Sequence, residues 1–326
     1  MRLKLVPDNT NWNFFRYWRA TFGASALAVL AAVVVFATVG LNFGIDFRGG
    51  TTIRTEATQP VDVGAYRDAI APLGLGDVAI SEVFDPNFGP DRHVAQVRIQ
   101  AQDDEEAITP ETVAAVEAAL HEVDPTMTFP SVESVGPKVS GELVQTAILA
   151  VVLANAAVMI YIWLRFEWQF AVGAVAALIH DVLLTIGIFS ILQIRFDLAI
   201  IAALLTIVGY SLNDTVIIFD RVRENLIKFK KTTLVDVINL SINETMSRTV
   251  MTSGTTLLAL IALFVLGGDV IRNFVFAMIW GVVIGTYSTV FVASVILLRL
   301  GVKRDWSKPE PEAGPGGTRF GPAADG

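Results

Sequence analysis

Gly209-Tyr210-Ser211-Leu212-Asn213-Asp214-Thr215-Val216-Ile217-Ile218-Phe219-Asp220-Arg221-Val222-Arg223-Glu224-Asn225 places a carboxylate, Asp214, inside an otherwise apolar run of membrane-spanning length. An ionised group at the centre of a bilayer costs from ~3 to more than ~10 kcal/mol, so an intramembrane Asp marks a functional position that needs a partner. In a helix, Tyr210 and Ser211 share the face of Asp214 and give it a polar stripe. Hydropathy ends this run near Phe219, which puts Asp214 about 8 Å from the end of the span at 1.5 Å per residue.

The surrounding composition sets the class. Over 326 residues the chain is 53% hydrophobic and 17% charged, with a mean hydropathy of +0.56, too apolar for an ordinary soluble domain. Runs near the ~20 residues needed to cross a hydrocarbon core lie at 20–42, 143–164, 168–192, 198–219, 249–267 and 274–298. The first run exceeds a signal-peptide h-region and no small-x-small cleavage site follows it, so it reads as a span. The expected fold is a polytopic α-helical membrane protein of six transmembrane helices.

Charge sets the orientation. Arg2, Lys4, Arg16 and Arg19 precede the first span; Arg221, Arg223, Lys228, Lys230, Lys231 and Arg248 lie between the fourth and fifth; Arg299, Lys303 and Arg304 follow the last. Lys and Arg in short flanking segments mark the cytoplasmic side. The expected layout is a cytoplasmic segment over 1–19, a first helix over 20–42, an external domain over 43–142, and helices two to six over 143–298. A cytoplasmic loop is expected over 220–248 and a disordered cytoplasmic tail over 299–326. The external domain has an acidic cluster at Asp103, Asp104, Glu105 and Glu106. Net charge is −8, which argues against a nucleic-acid partner.

The external segment alternates element types. Strands are expected at Thr51–Thr55, Val78–Val83, His93–Gln100 and Thr126–Val135, the last interrupted at Pro130, with helices at Val63–Leu73 and Pro110–Val123. Thr109 is the N-cap of the second helix and Pro110 its first residue. Strand, helix, strand, strand, helix, strand is the order of a ferredoxin-like α+β unit. His93 and His121 read as surface residues.

Other polar positions leave two readings open. Gly44-Ile45-Asp46-Phe47-Arg48-Gly49-Gly50 is either a structured turn with an Asp46–Arg48 charge pair or the hinge of a moving domain. His180 and Asp181 are adjacent in the third span and point about 100° apart, so each is expected to find separate satisfaction, as interhelical glue or as part of a proton path. Arg248 opens the fifth span and has no realistic neutral form. Near Asp214 it forms either a static ion pair or one half of a switchable one. Leu234, Val237, Ile238 and Ile242 form a stripe suited to a short helix on the inner membrane surface. Gly281 and Gly285 lie on a small-residue stripe that lets another helix approach, within this chain or in a partner. With no cysteine and three scattered histidines, no metal site is indicated. No nucleotide loop and no activated nucleophile is present, so no enzyme and no cofactor is expected.

Three blocks together, Gly44–Gly50, Gly209–Asn225 and Ser247-Arg248-Thr249-Val250-Met251-Thr252-Ser253-Gly254-Thr255-Thr256, closely resemble the SecD/SecF family of the bacterial Sec protein-export machinery, on its SecF side. The family belongs to the resistance-nodulation-division superfamily. The resemblance implies an inner-membrane location, a periplasmic domain and protons as the coupling ion. It also implies a SecD-like subunit, a SecYEG channel, a translocating preprotein and membrane lipid as partners. It assigns proton conduction to Asp214 and Arg248, with Asn213 as a neighbour. Six spans with an even return make half of a twelve-span arrangement, which calls for a second, similar half. The expected function is proton-driven assistance of preprotein export. Two alternatives are a non-energetic scaffold for the export channel and half of a proton-driven small-molecule exporter.

Overall fold

A computed structural model of the chain describes residues 10–76, 78–86, 88–89, 91–100 and 109–302. The acidic cluster at 103–106 and the tail beyond 302 lie outside the described residues.

Helix α1 (Trp18–Val39) follows a 3-10 turn at Phe14–Tyr17 and leads through a single helical turn, α2 (Ile45–Arg48), into β1 (Gly50–Ala57), α3 (Val63–Ile70), β2 (Val78–Val83), β3 (His93–Gln100), α4 (Pro110–Val123) and β4 (Thr128–Val135). Then come α5 (Pro137–Arg165), α6 (Trp168–Leu192), α7 (Leu198–Lys228), α8 (Leu234–Leu266) and α9 (Gly268–Ser288). A π-helical turn at Thr289–Ala293 joins α9 to α10 (Ser294–Leu300). Six of the helical stretches are long and apolar enough to cross a membrane, with the α+β unit between the first and second.

The sheet order is β2-β3-β1-β4, all neighbours antiparallel, the ferredoxin-like arrangement expected from the element order. Alternation drives it: Ile53, Val97 and Ile99 turn to one face and bury against Tyr66 and Ile70 of α3 and Val116 and Leu120 of α4. Asp62 caps α3 by accepting from the N–H groups of Gly64 and Ala65, and Thr109 caps α4 from Thr112. Pro130 does not interrupt β4. Between Ser131, paired with Arg54, and Thr128, paired with Glu56, Phe129 and Pro130 stand against Thr55 alone. That bulge falls on an edge strand, where a residue without an N–H is tolerated.

In the bundle, α6, α7 and the α9–α10 helix form the buried centre, while α1, α5 and α8 leave most of their surface outward. The long segment between the fourth and fifth spans departs from expectation. Helix α7 runs on to Lys228 and α8 begins at Leu234, so 220–248 is helical except for the turn at 229–233. No separate helix lies on the membrane surface. Val237, Ile238 and Ile242 instead pack into the bundle core with Phe219 and Val222. The polar residues on α8 are used as well: Asn239 and Asn243 accept from the backbone N–H groups of Phe14 and Trp12 (both 2.9 Å), and both return an amide N–H to the Trp12 carbonyl. At 33 residues, α8 is about 50 Å long, well beyond a ~30 Å hydrocarbon core.

Candidate functional site

The outward end of α1 meets the α6–α7 connection by backbone pairing. Gly44 N–H donates to the Phe196 carbonyl and Phe196 N–H to the Asn42 carbonyl, both at 2.8 Å. A Cβ on Gly44 would stand 3.3 Å from Asp197 Cβ, so only glycine fits this approach comfortably. Asp46 does not pair with Arg48. Its Oδ2 accepts from Leu198 N–H (3.0 Å), capping the first turn of α7. Gly49 and Gly50 then take φ of 77° and 133°, the left-handed side of backbone space, to turn the chain into β1. The domain therefore grips the start of the helix that carries Asp214. Arg98 of β3 also faces this connection: burial and the Arg195 guanidinium pull it below its usual range, with Asp197 opposing.

Asp214 lies near mid-length of α7, which continues past Phe219 to Lys228. It is 2% exposed, and its Oδ1 is buried with no hydrogen-bond partner. The turn at 229–233 makes α7 and α8 an antiparallel pair. Asp214 stands 14 residues before the end of α7 and Arg248 14 residues after the start of α8 (228−214; 248−234). Both are thus about 21 Å along their helices from the shared turn. They do not touch. Arg248 is exposed, and the carboxylate's electrostatic neighbours on α8 are Arg248 and Ser253. Asn213 is also exposed, on a stripe of small or polar exposed residues with Ala202, Thr206 and Gly209.

His180 and Asp181 do not find separate partners. His180 Nδ1 and Asp181 Oδ1 share a hydrogen bond (2.9 Å). The other oxygen accepts from Ser211 of α7 (2.7 Å) and Ser288 of α9 (2.8 Å). The serine that sequence spacing assigned to the Asp214 face therefore serves Asp181. Beside it the Thr215 and Thr289 hydroxyls meet at 2.9 Å, and Ser253 joins Thr286 at 2.8 Å. His180 Nε2 is buried and unpartnered, and the ring stacks on Tyr287 with centroids 6.4 Å apart.

Gly281 and Gly285 make this convergence possible. A Cβ on Gly281 would fall within the Ile207 side chain, and one on Gly285 would stand 3.0 Å from Ser211 Cβ. Their stripe serves α7 of the same chain. The close approach delivers Ser288 to Asp181 and Thr289 to Thr215. Immediately after them the helix widens into the π-turn, where Ser294 Oγ donates to the Thr289 carbonyl (3.0 Å). Sequence reading missed Ser288 and placed Thr289 only on the small-residue stripe, without a partner. The only signal was the polar Tyr287-Ser288-Thr289 triplet inside an apolar run.

Among the described residues no cluster of metal-ligating side chains occurs. A six-span bundle with two buried carboxylates and an α+β domain seated on one end describes a polytopic membrane protein. Comparison with known proteins gives the family. The description "Protein export membrane protein SecD/SecF, C-terminal" matches residues 115–303, and "SecD/SecF GG Motif" matches 34–61. "Protein translocase subunit SecF" of Cereibacter sphaeroides is 63% identical over 96% of this chain and 97% of its own. Its namesake from Vibrio alginolyticus is 40% identical over 94% and 95%. Among solved structures, SecDF from Thermus thermophilus, described as a translocon-associated membrane protein, superposes with a TM-score of 0.80 at 33% identity. The match covers 92% of this chain and 40% of that one. The chain belongs to the SecD/SecF family of protein-export membrane proteins.

Proposed function

We propose that the chain is an accessory subunit of a Sec translocase in a bacterial inner membrane, both termini cytoplasmic and the α+β domain periplasmic. With a SecD-like partner it uses the proton gradient to assist preprotein export at a SecYEG channel. Protons are the coupling ion, and the chain itself performs no covalent chemistry. The observation that carries the reading is the state of Asp214: buried at mid-helix, one oxygen unpartnered, with Arg248 at the same depth but turned outward.

An ionised Asp214 attracts Arg248 and leaves an unpaired oxygen in a low-dielectric site; a protonated one does neither. Proton uptake and release therefore change the force between α7 and α8. One charge crossing 100 mV supplies about 2.3 kcal/mol, enough to bias a two-state equilibrium a few tens-fold. Exposed Asn213, Thr206 and Gly209 on α7, with exposed Arg248 and Thr255 on α8, are poor lipid-facing residues. They suit a second helix bundle against them, and α1 and α5 suit lipid. His180 Nε2 is buried and unpartnered, which gives the His180–Asp181 pair a place beside this path.

Replacing Asp214 with Asn in vesicles containing the SecD-like partner and the channel tests the reading. Export should lose its dependence on the proton gradient. A gradient-dependent stimulation that survives in Asp214→Asn overturns the motor. The second reading, a scaffold without energy coupling, is favoured by the saturated Asp181 network and expects the variant to behave as the native chain does.

A further inference from the structure

Two contacts between the domain and the bundle stand out among the described residues. One contact is the clamp at Phe43–Gly50. The other lies where Phe84, the residue after β2, sits on the turn between α8 and α9. The two residues pair reciprocally: Phe84 N–H donates to the Asp269 side-chain Oδ2 (2.6 Å), and Asp269 N–H donates to the Phe84 carbonyl (3.0 Å). Arg272 is ion-paired with Asp269 and lays its guanidinium over the Phe84 ring, 5.8 Å from the centroid. Gly268, at φ 71°, brings the turn against Asp85, whose carboxylate would stand 2.7 Å from a Cβ there.

The two contacts differ in kind. The clamp is backbone pairing backed by the Phe43, Phe47 and Phe196 rings. The second contact is polar and open to solvent, with Phe84 60% exposed. Breaking it uncovers little apolar surface, and water replaces its hydrogen bonds, which is the profile of a contact that opens at low cost. Its position matters too. The turn joins the far end of the helix carrying Arg248 and Ser253 to the helix carrying Gly281, Gly285 and Ser288. A shift or rotation of α8 against α7 reaches Phe84 through three residues, Gly267 to Asp269.

We propose that Phe84, Asp269 and Arg272 form a releasable latch between the exported domain and the outer turn of the fifth and sixth spans. Closed, it fixes the domain at two points. Open, it leaves the domain to turn about the clamp, where Gly49 and Gly50 supply the permissive backbone. The proposal rests on the proton-driven reading only for what drives the opening; the latch itself does not depend on it.

The chain has no cysteine, so two introduced ones can be labelled cleanly. Spin labels at Ala118→Cys on α4 and Leu192→Cys at the end of α6, both exposed, report the distance between domain and bundle by pulsed EPR in nanodiscs with the SecD-like partner present. The native latch should give one dominant distance. Asp269→Ala, and separately Arg272→Ala, should raise a second population by about tenfold and about threefold, as loss of a charge-assisted hydrogen bond and of its supporting cation imply. An unchanged distribution in Asp269→Ala overturns the latch whatever Asp214 does. A second population in Asp269→Ala, together with gradient-driven export that ignores Asp214→Asn, upholds the latch and overturns the motor.

Discussion

Asp181 and Asp214 are both buried carboxylates in neighbouring central helices, and their surroundings are opposite. Asp181 makes three hydrogen bonds, with His180, Ser211 and Ser288, and so ties α6, α7 and α9 together. Asp214 keeps one oxygen with no partner at all, and the cation at its depth faces outward. Satisfied buried polar groups specify a single packing, whereas an unsatisfied one is a place where the state of lowest free energy depends on what approaches it. The contrast sets an anchor against the carboxylate proposed above as a switch, within one bundle.

The most severe test of that contrast is Asp181→Ala, which leaves His180 and Ser211 without this partner and Ser288 with the Gly285 carbonyl alone, and should cost about 3–5 kcal/mol of stability, read as thermal unfolding in detergent. Asp214→Asn, made in parallel, should stay within about 1 kcal/mol of the native chain, because it removes a charge that has no full set of partners. If the two variants unfold alike, the distinction between anchor and switch fails. Gly281→Ala forces a methyl into Ile207 and should cost about 1–3 kcal/mol, while also parting Ser288 from Asp181. Its effect should shrink in an Asp181→Ala background, since the contact it disturbs is already gone. Ser211→Ala and Ser288→Ala should each cost about 1 kcal/mol, and the double variant should depart from their sum because both serve one oxygen. The smallest effect belongs to Asp46→Ala, which uncaps α7 for about 1 kcal/mol or less, seen as faster amide exchange at Leu198.

Much of the architecture was legible because it depends on local pattern. Six apolar runs gave the spans, alternation at Ala95, Val97 and Ile99 gave β3, and Thr109-Pro110 gave the start of α4. The anchor was not legible. Ser211 and Ser288 stand 30 and 107 residues from Asp181, and no spacing rule links them; the adjacency of His180 and Asp181 even argued against their pairing. Helix α8 was misread for a related reason. Asn239 and Asn243 look like a solvated face, yet they hold the backbone at Trp12 and Phe14, a partner invisible to periodicity. Asp46 likewise pairs with a backbone N–H 152 residues away rather than with the nearby Arg48.

Pro130 has one more consequence. An uncovered edge strand invites any extended polypeptide to add itself as the next strand. In β4 the proline withholds a donor and the bulge at Phe129–Pro130 breaks the even spacing a newcomer would have to match. That edge of the sheet is thereby a poor template for strand addition.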